Sequence, residues 1–215
     1  MTPKRSEQKS QTQNLTLREG TILVRLAREA IARYIENKTT IKPPPSDGSL
    51  VRKSGVFVTL NRFKTHTLRG CIGFPYPDQP LIEATVKAAI YAATEDPRFE
   101  PVSIEEFGHS IVIELTALTA PQPLTDANRK ALPELIEIGR HGLIVEGMRS
   151  SGLLLPQVAV EWEWNGTDFL TNCCLKAGLP PDSWLLNEIT IKVFEGEIFE
   201  EIEPAGEVKK KSFGE

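Results

Sequence analysis

Behind the sequence Thr16-Leu17-Arg18-Glu19, apolar residues recur at helical spacing through Leu23, Leu26, Ala27, Ala30, Ile31 and Tyr34. The first four residues have the form of a capping box, in which a hydroxyl and a carboxylate satisfy free backbone donors at a helix start, so the pattern predicts an amphipathic helix running to about Asn37. Pro43-Pro44-Pro45-Ser46-Asp47-Gly48 then breaks the helical period and forms an exposed connector. Residues 55–60 read as a strand with Val56 and Val58 on one face and Phe57 on the other, and residues 67–74 as its partner, reached through residues 61–66.

A second helix is predicted over residues 81–94, with Ile82, Val86, Ala89, Ile90 and Ala93 inward, stopping near Asp96 because Pro97 disfavours helical backbone in the residue before it. Residues 109–118 alternate and read as a strand covered on both faces. A helix weakened by Pro133 follows around residues 126–138. Residues 142–146 and 153–160 read as two strands joined at Gly147-Met148-Arg149-Ser150-Ser151-Gly152. A helix over residues 167–177 is closed by Gly178, and residues 189–198 read as one final strand.

Hairpin-joined strands interleaved with helices predict an α+β fold, with mainly antiparallel sheet flanked by helices. The order strand, glycine-bearing strand, helix occurs from Gly55 and again from Gly142 at an offset of about 85 residues. This echo is compatible with an internal duplication, although residue identity between the halves is negligible. The polar residues 1–13 are expected to be a disordered tail and residues 201–215 a second polar tail, with Lys209-Lys210-Lys211 solvated; the domain lies between, over residues 14–200.

A chain of 215 residues with 25% charged and 40% hydrophobic residues is long enough to bury a core without staples. Its net charge of −4 disfavours generic nucleic-acid binding, which needs a clustered positive field. Trp162, Trp164 and Trp184 are expected in core or cleft packing. Three cysteines, two of them adjacent at Cys173 and Cys174, make neither a disulfide framework nor a zinc pattern, which points to a reducing cytoplasm. Neither a signal peptide nor a membrane span is expected, and no metal set, Walker loop or dinucleotide fingerprint occurs.

The chemistry concentrates in Leu68-Arg69-Gly70-Cys71-Ile72-Gly73, where one thiol and one guanidinium stand among glycines and aliphatic residues. Strict alternation places Thr67, Arg69 and Cys71 on one face. An ordinary thiol is only about 3% thiolate at pH 7, and a nearby cation would raise that fraction enough to make a nucleophile. Gly70 and Gly73 would allow a substrate or another backbone to approach closely. The competing reading is an inert buried cysteine in a bulged strand, with Arg69 salt-bridged nearby. A nucleophile needs a base, and His141, at the start of the corresponding second-half strand, is the first candidate, ahead of His66 and His109. Glu114 requires a cationic partner, Arg69 or Arg98. Gln157 and Lys176 are further candidates to face a cleft, although each of these residue types is more often a packing or surface feature.

The run Leu68 to Gly73 resembles the signature of the AMMECR family, named for the Alport syndrome, midface hypoplasia and elliptocytosis chromosomal region. Asp96-Pro97-Arg98-Phe99, Leu153-Leu154-Leu155-Pro156-Gln157-Val158 and Cys174-Leu175-Lys176-Ala177-Gly178-Leu179 followed by Trp184 are similar to that family too. The resemblance spans roughly residues 15–200. It implies two unequal subdomains with antiparallel sheet and a cleft carrying the signature, and the chain resembles the stand-alone archaeal type. It brings no settled activity and no known cofactor. Relatives fused to, or encoded with, Memo-like and radical-SAM proteins suggest a modification pathway. Two functions follow as expectations: an enzyme using the Cys71 thiol on a small polar molecule, with Arg69 and His141 setting its charge state, or a non-catalytic module that binds a small molecule or a protein partner through the same cleft.

Overall fold

The Thr16 hydroxyl accepts from the Glu19 backbone and the Glu19 carboxylate accepts from the Thr16 backbone, so the capping box opens the first helix as its sequence requires. A computed structural model describes residues 14–211, and the expected tail over residues 1–13 lies outside them. In chain order the elements are α1 (Leu17–Asn37), β1 (Val56–Arg62), β2 (Leu68–Phe74), α2 (Leu81–Thr94), α3 (Ile104–Ser110), β3 (Ile111–Leu118) and β4 (Gln122–Pro123). They continue with β5 (Gly142–Gly147), β6 (Ser150–Leu154), α4 (Pro156–Glu161), α5 (Gly166–Lys176), β7 (Thr190–Phe194), β8 (Gly196–Glu201) and β9 (Val208–Lys211).

The strands form two antiparallel sheets, one ordered β2-β1-β3-β8-β9 and the other β4-β7-β5-β6, so the α+β class holds. Each sheet has its own apolar core. Val56, Val58 and Leu60 of β1, Ile113 and Leu115 of β3 and Phe199 of β8 face the buried stripes of α1 and α2. Leu143 and Val145 of β5 and Ile191 of β7 pack on Phe169, Leu170 and Cys173 of α5. Between the sheets a small cluster of Leu118, Ile144 and Phe194, flanked by Phe57, Tyr76, Leu153 and Leu155, joins the two. Both hairpins of the order-level echo, β1-β2 and β5-β6, are present, each followed by a packing helix.

Several elements depart from expectation. Residues 104–110 form a helix capped by Ser103, so His109 is exposed at a helix end instead of lying in a strand. The strand expected over 153–160 stops at Leu154, because Pro156 starts a helix at its first turn, where a missing N–H costs nothing. The segment around Pro133 is a 3-10 helix over Arg129–Leu135. The final strand divides at Glu195: β7 belongs to the second sheet and β8 to the first. Lys209, Lys210 and Lys211 are not a solvated tail but part of β9, paired to β8 and to glutamates. Among the described residues no helix is long and apolar enough to cross a membrane.

Candidate functional site

β2 is an edge strand, and each residue of its signature from Arg69 to Gly73 has a distinct physical role. Ile72 packs on the helix-side core. A Cβ on Gly70 would stand 2.2 Å from the Ala92 carbonyl oxygen of α2, so only glycine lets the strand lie this close to the helix. A Cβ on Gly73 would enter the Phe57 ring.

Cys71 pairs with Thr59, Thr59 with Glu114, and Glu114 with Glu200. These residues form one row across the face of the first sheet opposite α1 and α2. Cys71 turns its own backbone outward: its N–H donates to Asp96 Oδ2 at 2.8 Å, and Arg98 Nη2 donates to its carbonyl at 3.3 Å. Thr59 and Cys71 are therefore a non-hydrogen-bonded pair, the kind in which side chains approach most closely. The Thr59 hydroxyl lies 3.3 Å from the Cys71 sulfur and donates to it. Asp96 and Arg98, themselves ion-paired at 2.7 Å, supply the acceptor and the donor that a further strand would otherwise bring to this edge.

Arg69 does not share in this. The register slips between Leu60 and Asn61, which pair with Gly70 and Leu68, and leaves Arg69 as the extra residue of a bulge. Its side chain is buried and forms a bidentate pair with Glu106 of α3 at 2.8 and 3.0 Å, with the Phe99 ring beneath the guanidinium. Alternation predicted a guanidinium beside the thiol; the bulge re-aims it, and the cation acting on Cys71 is that of Arg98. Burial pushes the Cys71 thiol up, reinforced by the Asp96 and Glu114 carboxylates and opposed by the Thr59 hydroxyl and Arg98. The expected activation is thus reversed in sign.

His141 opens β5 in the other sheet, where its Nδ1 accepts from the Glu137 backbone, and no described contact joins it to Cys71. His66 is exposed in the β1-β2 turn with φ 53°. Glu114 is paired with Lys211, at 3.1 Å, rather than with either arginine expected. Lys211 also reaches Glu200 at 3.5 Å. Gln157 lies on α4 with its Oε1 buried and unpartnered among the described residues, and Lys176 is exposed on α5. Thr59, Asp96, Glu106 and Lys211 were not singled out from the sequence as site residues; the Asp96-Pro97-Arg98-Phe99 segment was the one signal for two of the groups on Cys71.

No group of three or more His, Cys, Asp and Glu side chains is placed to hold a metal ion among the described residues. A groove of about 740 Å³ between α1, residues 40–43 and α2 carries Tyr34, Lys42, Glu83, Lys87 and Tyr91, and it does not include Cys71.

The chain is similar to a protein of Methanopyrus kandleri, 52% identical over 203 residues and covering 94% of this chain and 98% of that one. It is also similar to one of Thermococcus onnurineus, 53% identical over 196 residues and covering 89% and 95%. The crystal structure of an uncharacterized protein from Pyrococcus horikoshii matches with a TM-score of 0.83 at 50% identity, over 90% of this chain and 96% of that one. The family model described as AMMECR1 matches residues 24–199. With that match running from α1 into β8, and relatives at half identity along nearly their whole length, the chain belongs to the AMMECR1 family.

Proposed function

We propose that this chain is a binding module whose ligand, a small polar molecule or a polar segment of a partner, lies on the Cys71–Thr59–Glu114 row with the thiol in its neutral form. One observation carries the reading: the Cys71 sulfur is partly buried with the Thr59 hydroxyl at 3.3 Å and no imidazole against it, surroundings in which burial favours the neutral thiol. A neutral thiol, a hydroxyl, a half-exposed guanidinium and carboxylates neutralised by Lys211 offer donors and acceptors in a fixed row, which suits recognition better than nucleophilic attack. Rigid backing by two helices supports it as well.

The second reading, a thiol-dependent enzyme, is favoured by one feature: Thr59 and Arg98 both stabilise the anion. The rate of Cys71 alkylation against pH separates the two, measured with Cys173 and Cys174 replaced by alanine. The binding reading expects an inflection at or above the ordinary value of about 8.5. An inflection well below pH 8 would overturn it in favour of the enzyme.

A further inference from the structure

Trp162 is 67% exposed, the reverse of the buried position expected for a tryptophan of this chain. Its placement follows from how α4 ends. The Glu163 N–H bonds to the Val160 carbonyl, the Trp164 N–H bonds to that of Ala159, and Glu163 has φ 54°. This is the Schellman ending, with glutamate in the left-handed position that glycine ordinarily takes. The turn folds Trp164 back against the second core, where it meets Phe169 at 6.4 Å between ring centroids. Trp162 stacks on the outer side of Trp164 at 6.2 Å. The fold needs Trp164; Trp162 adds no core contact and faces solvent.

The surroundings give this surface a definite character. Val160 is 44% exposed and Ile138 40% exposed, and Gly139 lies against Val160. Glu161 and Glu163, on either side of Trp162, and Glu134 nearby in sequence to Ile138 are exposed and hold no ion pair among the described residues. Arg140, the adjacent cation, is taken by Glu137 and Glu195 at 2.8 and 3.0 Å. Trp162 and Val160 thus stand exposed beside Glu161 and Glu163, two carboxylates with no ion pair among the described residues. Docking sites commonly set aromatic side chains within a polar rim, and charge on that rim selects the sign of the partner.

We propose that Val160, Trp162 and Ile138 form a docking surface for a partner-protein segment that carries apolar side chains flanked by lysine or arginine. A second copy of this chain would bring like charge to like charge, and a bare polycation would leave Trp162 unused. The surface is separate from the Cys71 row and stands or falls independently of it.

The test follows the Trp162 indole N–H by NMR, assigned with Trp162→Phe, during titration with three synthetic peptides of equal length: an amphipathic leucine/lysine helix, polylysine, and a leucine/glutamate helix. The leucine/lysine peptide is expected to bind at least about tenfold more tightly than either other peptide, and Trp162→Ala, titrated by calorimetry because it lacks the indole, to weaken it by a similar factor. Glu161→Gln with Glu163→Gln, which leaves the stacked ring in place, is expected to weaken binding and flatten its salt dependence. Equal binding by polylysine, undiminished binding by Trp162→Ala, or concentration-dependent dimerisation abolished by Trp162→Ala would each overturn the proposal.

Discussion

The Asp96 carboxylate accepts the Cys71 backbone N–H at 2.8 Å, so the loop after α2 seals the outer edge of β2 at the residue that carries the thiol. Arg98, and then the backbone N–H groups of Cys71 and Arg98, hold the Asp96 carboxyl well below the usual carboxylate range against the opposing effect of burial. The Asp-Pro-Arg-Phe segment and the glycine-cysteine strand are two halves of one construction.

Asp96→Ala would leave the Cys71 N–H and the Arg98 guanidinium without their acceptor, at a cost of about 2–3 kcal/mol, measured by urea unfolding at pH 7. Because the folded carboxyl is held below its ordinary value, its contribution is present above about pH 4 and is lost as the pH falls further toward the folded value. The variant should therefore lose stability less steeply than the parent below pH 4. An unchanged acid limb would remove Asp96 from this account.

Arg98 should act on the thiol and Arg69 should not. Arg98→Gln is expected to raise the Cys71 pKa further, because it removes the cation that favours the anion, whereas Arg69→Gln should leave the inflection in place, since that guanidinium is held by Glu106. Thiolate absorbance near 240 nm against pH reads both variants. A shift on Arg69→Gln alone would restore the expectation drawn from strand alternation.

Gly70→Ala and Gly73→Ala separate a rigid neighbour from a movable one. At Gly70 the added carbon meets a helix carbonyl, and at Gly73 the face of a phenylalanine ring. Overpacking of this kind costs about 1–3 kcal/mol, with Gly70→Ala at the upper end because backbone cannot step aside. Thermal unfolding of the two variants compares them directly, and equal losses would contradict the distinction.

Lys211 ties β9 to the row. Burial alone would lower its pKa, but Glu114 and Glu200 outweigh that and raise it. A raised lysine stabilises fully below its unfolded value of about 10.4, and the contribution disappears as the pH rises through the folded value. Lys211→Ala should cost roughly 1 kcal/mol at neutral pH, where two partly buried carboxylates lose a shared ammonium. The same variant should flatten the alkaline limb above pH 10. Circular-dichroism melts between pH 7 and 11 check both.

What the sequence determined by itself was local. The Thr16–Glu19 capping box, the helical stripes of α1 and α2, the Pro97 stop, the β1-β2 hairpin and the left-handed Gly178, at φ 74°, are properties of adjacent residues, and each stands where its pattern places it. The Leu68–Gly73 run was visible as a candidate site for the same reason, since few contexts need a thiol and two glycines within four residues. Tertiary structure decided whatever depended on a partner distant in the chain. A single-residue bulge, invisible to alternation, sent Arg69 to Glu106, 37 residues away. Asp96 and Arg98 reached Cys71 from the end of a helix, and Lys211 came 97 residues to neutralise Glu114. The apolar run over 189–198 was divided between two sheets because each half found a different strand to pair with, a choice made by packing and not by propensity. The charge state of the thiol belongs to this second group, because it is the balance of burial with groups brought in from β1, β3 and the loop after α2.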